Sequence, residues 1–355
     1  MKDLRRVVLA AGGTAGHVFP AVAILRELQA RGVDVRLFSD DRGLRYVGDL
    51  DRDVVDIIES GGLVSGPITK RLGNARKLVA GGFAARRLLK NYRPDLVIGL
   101  GGYASVTPIL AASRLGIPTV LHEQNSVMGA ANKFTARNAD AVALTFDPTE
   151  GARGTCHITG NVSRREIIEI GAASYPTPEP GGQLGILVMG GSQGARSISE
   201  RVPAALAGVD AVLRGRLTVV HQARSEDHNC VTAAYANADI SARVVPFVDV
   251  PATLPSTHLV IARSGATTVC DIAVARRPAI YLPLLTHSDL QQVKNAAAVV
   301  DVGGAEMQRE DEREVDDLTA AVSRLLGDTN ALRHMADAAR TWSRPDAIEA
   351  ILALL

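Results

Sequence analysis

His17 stands directly behind a glycine-rich turn, Ala11-Gly12-Gly13-Thr14-Ala15-Gly16, which itself follows the apolar run Val7-Val8-Leu9-Ala10. That order reads as a buried strand, a tight turn and a helix start. It puts an imidazole at a helix N-terminus, where the dipole opposes protonation and favours the neutral base. A second turn of the same kind, Met189-Gly190-Gly191-Ser192-Gln193-Gly194-Ala195-Arg196, follows Leu184-Gly185-Ile186-Leu187-Val188. Backbone N–H groups at such turns suit anionic groups, phosphate above all. As a dinucleotide fingerprint the first turn is incomplete, because Ala11 takes the first glycine position. Asp40 or Asp41 stands where the ribose-binding acid would fall.

A third constellation, Arg263-Ser264-Gly265-Ala266-Thr267-Thr268-Val269, also joins a strand to a helix. Its hydroxyls and N–H groups suit phosphate oxygens. Asp271, one turn later, can accept from ribose hydroxyls. Further on, Asp289-Leu290-Gln291-Gln292 with Asn295 forms a polar cluster suited to a hydroxyl-rich ligand. Any one of these is also a fair helix cap; several on the same strand-end side point to one site. The chemistry implied is that of a phosphate-bearing substrate held between two nucleotide-type domains, with His17 either a neutral base beside it or a capping or packing histidine.

The elements that must position these residues alternate along the chain. In the first half, strands are expected at 6–10, 34–39, 54–58, 95–100, 119–123 and 141–145, and helices at 18–31, 70–91, 106–115 and 128–137. Residues 171–183, with Pro176, Pro178, Pro180 and Gly181-Gly182, read as a linker or exposed loop. The alternation then restarts, with strands at 184–188, 217–221, 242–246, 259–262 and 279–282 and helices at 195–206, 226–236, 267–275 and 291–300. The stretch 315–355 is helical in pattern with a break at Ser343-Arg344-Pro345. Alternation of this kind predicts an α/β fold with two doubly wound parallel sheets. The domains expected are 1–161 together with a C-terminal helix at 340–355, and 162–339.

Composition agrees with a two-domain globular chain: 355 residues, 46% hydrophobic and 22% charged. The first 161 residues hold 21 Lys and Arg against 15 Asp and Glu; the rest hold 18 against 23. Such an imbalance orients a basic half towards an anionic surface. Cys156, Cys230 and Cys270 are widely spaced, which implies neither a disulfide framework nor a zinc site and fits a reducing cytoplasm. The uncharged run from Leu96 to Ser113 has the length of a membrane span, but Gly99, Gly101, Gly102 and Pro108 make it a strand, turn and helix.

These segments, taken in order with Gly101-Gly102-Tyr103, His122-Glu123-Gln124-Asn125 and Gly160-Asn161…Arg164, resemble the lipid I N-acetylglucosaminyltransferases of peptidoglycan synthesis, inverting enzymes of glycosyltransferase family 28. The resemblance spans nearly the whole chain. It implies the GT-B arrangement, two Rossmann-like domains facing a cleft, with UDP-N-acetylglucosamine on the C-terminal domain. The uracil would lie near Val248, and the diphosphate at Ser192 and at Ala266, Thr267, Thr268 and Val269. The ribose would meet Asp271, the sugar Gln291 and Gln292, with Asn125 reaching across the cleft and Arg164 near the hinge. The acceptor, lipid I, would enter beside Thr14, Ala15, Gly16 and Tyr103. His17 would be the general base, with Glu123 as the alternative. The family often has Gly-Asn-Pro-Val-Arg at 160–164, where this chain has Val162-Ser163, and Glu in place of Asp271.

No Asp-x-Asp pair follows a strand, so an obligatory divalent metal is not required and no other cofactor is implied. Nucleic acid is not among the expected partners. The same resemblance implies a peripheral protein at the cytoplasmic face of the inner membrane. Residues 68–93 carry eight basic residues and no acid, with Ile68, Leu72, Ala75, Val79 and Phe83 at helical spacing. This is the pattern of an amphipathic patch on anionic lipid, though a helix whose apolar stripe faces the sheet has it too. The alternatives are a relative with another acceptor, a UDP-sugar epimerase, and a nicotinamide-dependent oxidoreductase, which His17 disfavours.

Overall fold

The structure, a computed structural model, describes residues 4–61, 68–191, 194–286 and 289–355, without the side chains of 68–72 and 75. It divides into two units, Met1–Ser163 with Arg344–Leu355, and Arg164–Ser343. The segment Arg344–Leu355 thus belongs with the first unit. The expected cuts at 161/162 and 339/340 stand against 163/164 and 343/344.

The first unit runs β1 (Arg6–Ala10), α1 (Ala15–Ala30), β2 (Asp34–Ser39), β3 (Val55–Ile57), α2 (Ile68–Tyr92), β4 (Leu96–Gly99), α3 (Val106–Arg114), β5 (Thr119–Glu123), α4 (Ala130–Thr135), β6 (Ala141–Leu144) and β7 (Cys156–Ile158). Its seven strands are all parallel, in the order β3-β2-β1-β4-β5-β6-β7. The strands are apolar runs because both sheet faces are covered. One face packs Val8, Phe38 and Leu121 under α2 and α3; the other packs Leu9, Leu37 and Ile98 under α1.

The second unit runs α5 (Arg165–Ala172), β8 (Leu184–Met189), α6 (Arg196–Ala207), α7 (Ala211–Arg214), β9 (Leu217–Gln222), α8 (His228–Asn237), β10 (Ser241–Val245), α9 (Val250–Thr253), β11 (Leu259–Ala262), α10 (Ala266–Val274), β12 (Ala279–Tyr281), α11 (Gln291–Val300), β13 (Ala305–Met307), α12 (Val315–Gly327) and α13 (Thr329–Trp342). Its six parallel strands lie in the order β10-β9-β8-β11-β12-β13. The chain then returns to the first unit as α14 (Ala347–Leu352), whose Ile351 and Leu352 enter the core beneath α1.

Five elements escape the sequence pattern: β7, β13, α5 and the four-residue helices α7 and α9. β7 and β13 are three residues each, too short to show alternation, and β7 is largely exposed. α5 lies just before the proline-rich stretch and buries only Ile167 and Gly171. The expected helix at 315–355 has an additional break at Asp328, whose carboxylate caps α13 by accepting from Asn330 and Ala331 N–H. At Gly81 of α2 a Cβ would lie 2.3 Å from the Glu59 carbonyl oxygen, so the glycine is what lets the helix seat. The run from Leu96 to Ser113 is β4, a turn and most of α3, and among the described residues no helix is long and apolar enough to cross a membrane.

Candidate active site

In each sheet the strand order reverses direction at one point, and ligands in such folds bind beyond the strand C-termini there. In the first unit that point lies between β1 and β4. The segments that follow these strands carry Gly12 to His17, the last three residues opening α1, and Leu100 to Gly102.

α1 begins at Ala15, with Thr14 as its N-cap, so His17 sits within the first turn rather than ahead of the helix start expected at Val18. Its Nδ1 lies 3.2 Å from the Gly12 carbonyl oxygen and 3.1 Å from Thr14 Oγ1. A carbonyl only accepts, so Nδ1 carries the proton. Nε2 is left with its lone pair, the form a general base needs. The glycines are the reason the ring fits. A Cβ on Gly101 would lie 2.7 Å from His17 Cδ2 and 3.0 Å from Nε2, and one on Gly102 would lie 2.4 Å from the Gly12 oxygen. Both glycines have left-handed φ, 95° and 71°.

Burial of this packed ring lowers the His17 pKa below its ordinary value, while Glu123, the Gly12 carbonyl and Asp40 pull the other way. The direction is that expected from the helix N-terminus; the dominant cause is desolvation.

Two carboxylates have roles other than those the sequence suggests. Asp40, one of the acids offered for ribose, accepts from Gly13 N–H and Gly43 N–H, both at 2.9 Å, through Oδ1. Through Oδ2 it takes Ser60 and Arg42. These bonds hold its pKa low against the opposing effect of desolvation. The Gly13 N–H therefore faces a carboxylate of the protein itself, and the first turn is not an open phosphate cradle. Asp41 is exposed.

Glu123, the alternative base, is buried. Its Oε1 accepts from Asn125 N–H at 3.0 Å, and its Oε2 from Gly129 N–H and Asn132 Nδ2, both at 2.9 Å. With both oxygens engaged it fixes the loop from β5 to α4. Asn125, on that loop, is half-buried, as is Tyr103 at the turn before α3. Thr14 and Gly16 are exposed, and Ala15 is buried under the turn.

In the second unit the reversal falls between β8 and β11. Ser192 and Gln193 lie outside the described residues. The turn that follows β11 is well built. Arg263 is buried and donates to the Leu282 and Pro283 carbonyls and to Ser197 Oγ, and it pairs with Glu310 at 3.0 Å. Ser264 Oγ donates to the Gln292 carbonyl at 2.8 Å, and Asn295 Nδ2 to the Ser264 carbonyl at 3.2 Å.

This stitching ties the start of α10 to the start of α11. Gly265 is the N-cap of α10 in extended conformation, and no acidic residue lies in the first turn. Ala266 and Val269 are buried, so they offer a ligand only backbone, whereas Thr267 and Thr268 are half-buried. Orphan N–H groups and a positive dipole end give this helix start the chemistry that suits an anion. Asp271 is buried on the same helix. Gln292 Oε1 accepts from Leu284 N–H at 2.9 Å, which leaves its NH₂ group as the donor end of the amide. Gln291 is half-buried in the same turn. Val248 is buried beside Phe247, which is 76% exposed. Arg164 is exposed at the N-cap of α5, its carbonyl bonded by Ile167 and Ile168 N–H.

Two parallel-sheet Rossmann-like units, of seven and six strands, define the GT-B class. The chain belongs to glycosyltransferase family 28: the family's N-terminal domain matches residues 7–144 and its C-terminal domain residues 185–351. It is 42% identical over 352 residues to a protein of Sinorhizobium fredii described as UDP-N-acetylglucosamine--N-acetylmuramyl-(pentapeptide) pyrophosphoryl-undecaprenol N-acetylglucosamine transferase. That match covers 98% of this chain and 94% of the relative. A protein of the same description from Rhizobium johnstonii is 39% identical, over 96% and 92% of the two chains. Among solved structures, Acinetobacter baumannii MurG superposes with a TM-score of 0.79 at 29% identity, over 99% and 98% of the two chains. The UDP-GlcNAc 2-epimerase of Neisseria meningitidis, at 12% identity and a TM-score of 0.68 over 98% and 99%, shares the fold alone.

Proposed function

We propose that this protein transfers N-acetylglucosamine from UDP-N-acetylglucosamine to the C4 hydroxyl of undecaprenyl-pyrophosphoryl-N-acetylmuramoyl-pentapeptide (lipid I), yielding lipid II. The observation that carries the reading is His17 Nε2, held as a neutral acceptor by the bond from Nδ1 to the Gly12 carbonyl. The full-length relatives named for this reaction support it.

The acceptor's C4 hydroxyl attacks the anomeric carbon of the donor. The new C–O bond forms as the bond to the β-phosphate oxygen breaks, and the configuration inverts. The hydroxyl proton goes to His17 Nε2 and the electron pair leaves with UDP. General-base assistance of this kind contributes about 10²- to 10⁴-fold. The N-terminal N–H groups of α10, with Thr267 and Thr268, meet the charge growing on the diphosphate, and Arg164 is its further partner. Fixed donors aimed at developing charge commonly accelerate such reactions more than proton transfer does. Val248 with Phe247 suits the uracil, Asp271 the ribose, and Gln291 and the Gln292 NH₂ the sugar hydroxyls. On this reading the chemistry needs no obligatory divalent cation. Thr14, Ala15, Gly16, Tyr103 and Asn125 are the acceptor-side contacts, and Ser192 is a donor contact.

The acceptor is lipid-linked, and α2 offers a surface for lipid. Val79 and Phe83 are 60% and 73% exposed, amid exposed Arg76, Lys77, Arg86, Arg87 and Lys90. Its opposite side buries Gly81, Ala85 and Leu89. The outward stripe is therefore separate from the packing face, and we place the protein peripherally on the anionic cytoplasmic leaflet.

Incubation with labelled UDP-N-acetylglucosamine and a short-chain lipid I analogue tests the reaction. Formation of the disaccharide product supports it; release of epimerised free sugar, or no transfer, overturns it.

A further inference from the structure

The peptide unit between Gly12 and Gly13 is bonded at both ends to ionisable side chains. Its C=O accepts from His17 Nδ1–H at 3.2 Å, and its N–H donates to Asp40 Oδ1 at 2.9 Å. A trans peptide aims its C=O and N–H in opposite directions. Imidazole and carboxylate therefore stand on opposite sides of one planar, polarisable group, with His17 Nε2 at the far end of the line.

The surroundings keep a full charge at the other end. Asp40 directly follows β2, and its side chain is only 8% exposed, so water screens it little. It reaches the peptide because residue 12 has no side chain: a Cβ there would lie 2.8 Å from Asp40 Oδ1. Gly43 N–H donates to the same oxygen at 2.9 Å, and Ser60 Oγ and Arg42 donate to the other at 3.0 and 3.2 Å. Burial opposes ionisation, but these donors outweigh it, and the carboxylate stays an anion.

An anion at the N–H of a peptide makes its carbonyl a stronger acceptor. A stronger acceptor on Nδ1–H makes the imidazole more basic and stabilises the imidazolium that forms when Nε2 takes a proton. We infer that Asp40 is a positioning residue for the reaction, acting on His17 through the Gly12–Gly13 peptide as a carboxylate bonded directly to an imidazole would. The inference rests on His17 as the base of the proposed reaction. Two other titratable groups bear on the ring: Glu123, whose charge acts in the same sense, and His122, which burial keeps neutral. Glu123 is engaged by Asn125, Gly129 and Asn132, and His122 by Gly160 and Gln124.

Asp40→Asn tests the role, because the amide oxygen can keep both N–H bonds while the charge goes. In an NMR titration of the imidazole without substrates, the His17 pKa should fall by about half a unit to one unit. The acidic limb of the pH–rate profile should move to lower pH by the same amount, and the plateau kcat should fall about 3- to 10-fold. Arg42→Gln removes the cation that offsets Asp40, on a side chain 62% exposed. Both readings should then move the other way, to higher pH. A carboxylate that merely shaped the turn would leave the titration where it is, so an unmoved His17 pKa in Asp40→Asn would overturn the inference. If that variant does not fold, an unmoved titration in Arg42→Gln would do the same. A titration that moves while the kinetic limb stays fixed would instead refute His17 as the base, and with it any part for Asp40 in the reaction.

Discussion

Replacing Gly101 by Ala should uncouple stability from catalysis at His17. The substitution adds one methyl at φ 95°, 2.7 Å from His17 Cδ2 and 3.0 Å from Nε2. The left-handed backbone alone costs about 1–2 kcal/mol for an L-residue. The overpacking adds about 1–3 kcal/mol, because the ring cannot retreat without stretching its bond to the Gly12 carbonyl. A total of about 2–5 kcal/mol leaves a typical domain folded, but with the base displaced. Misplacement of a catalytic group by about 1 Å costs on the order of 10²-fold in rate.

Gly116→Ala is the control. Its φ is 69°, and no atom lies within 4 Å of the added methyl, so it carries the backbone strain alone. Urea denaturation and a continuous UDP-release assay on both variants separate the effects. Gly101→Ala should lose about 100-fold in kcat, and Gly116→Ala should keep its kcat while losing about 1–2 kcal/mol of stability. Wild-type kcat in Gly101→Ala would refute the assignment of His17 as the base.

Other outcomes follow from the same geometry. A general base must be deprotonated to act, and burial lowers the His17 pKa. Transfer should therefore persist below pH 6.5 and fall on a more acidic limb; His17→Ala should lose about 10²- to 10⁴-fold and that limb with it, as a pH–rate profile will record. His122 in the first unit and His221 in the second both have pKa values pushed down to about 4 by burial. The unfolded chain binds their protons from about pH 6.5 downward while the folded one resists. Stability should fall by about 2 kcal/mol per histidine between neutrality and about pH 5, and flat urea midpoints over that range would contradict it. Phe83→Ser should weaken binding to anionic vesicles about 10-fold while leaving Tm nearly unchanged, since the ring is exposed; sedimentation with vesicles measures the first and scanning calorimetry the second.

Much of the fold is legible in the chain because parallel strands buried on both faces are apolar runs, and glycine turns punctuate them. β1, β2, β5 and β11 fall on their expected residues for that reason. The short edge strands β7 and β13 have too few residues for any pattern, and only pairing with a neighbour defines them. The site is partly legible. Of the proposed site, His17 is read from its place behind a glycine turn, and the start of α10 from its hydroxyls. The duties of Asp40 and Glu123 do not show in residue type. A carboxylate reads the same whether it awaits a substrate or is saturated by Gly13, Gly43, Asn125, Gly129 and Asn132.

The return of the chain as α14 sets an order of events during synthesis. Ile351 and Leu352 complete a core whose other buried residues were made before Ser163. As the polypeptide leaves the ribosome, the second unit, being continuous, can close first. The earlier-made unit must wait with a hydrophobic seam beneath α1 uncovered until α14 emerges. Ribosome-bound intermediates should therefore protect the later-made half from proteolysis before the earlier one, a reversal of the usual N-to-C sequence of maturation.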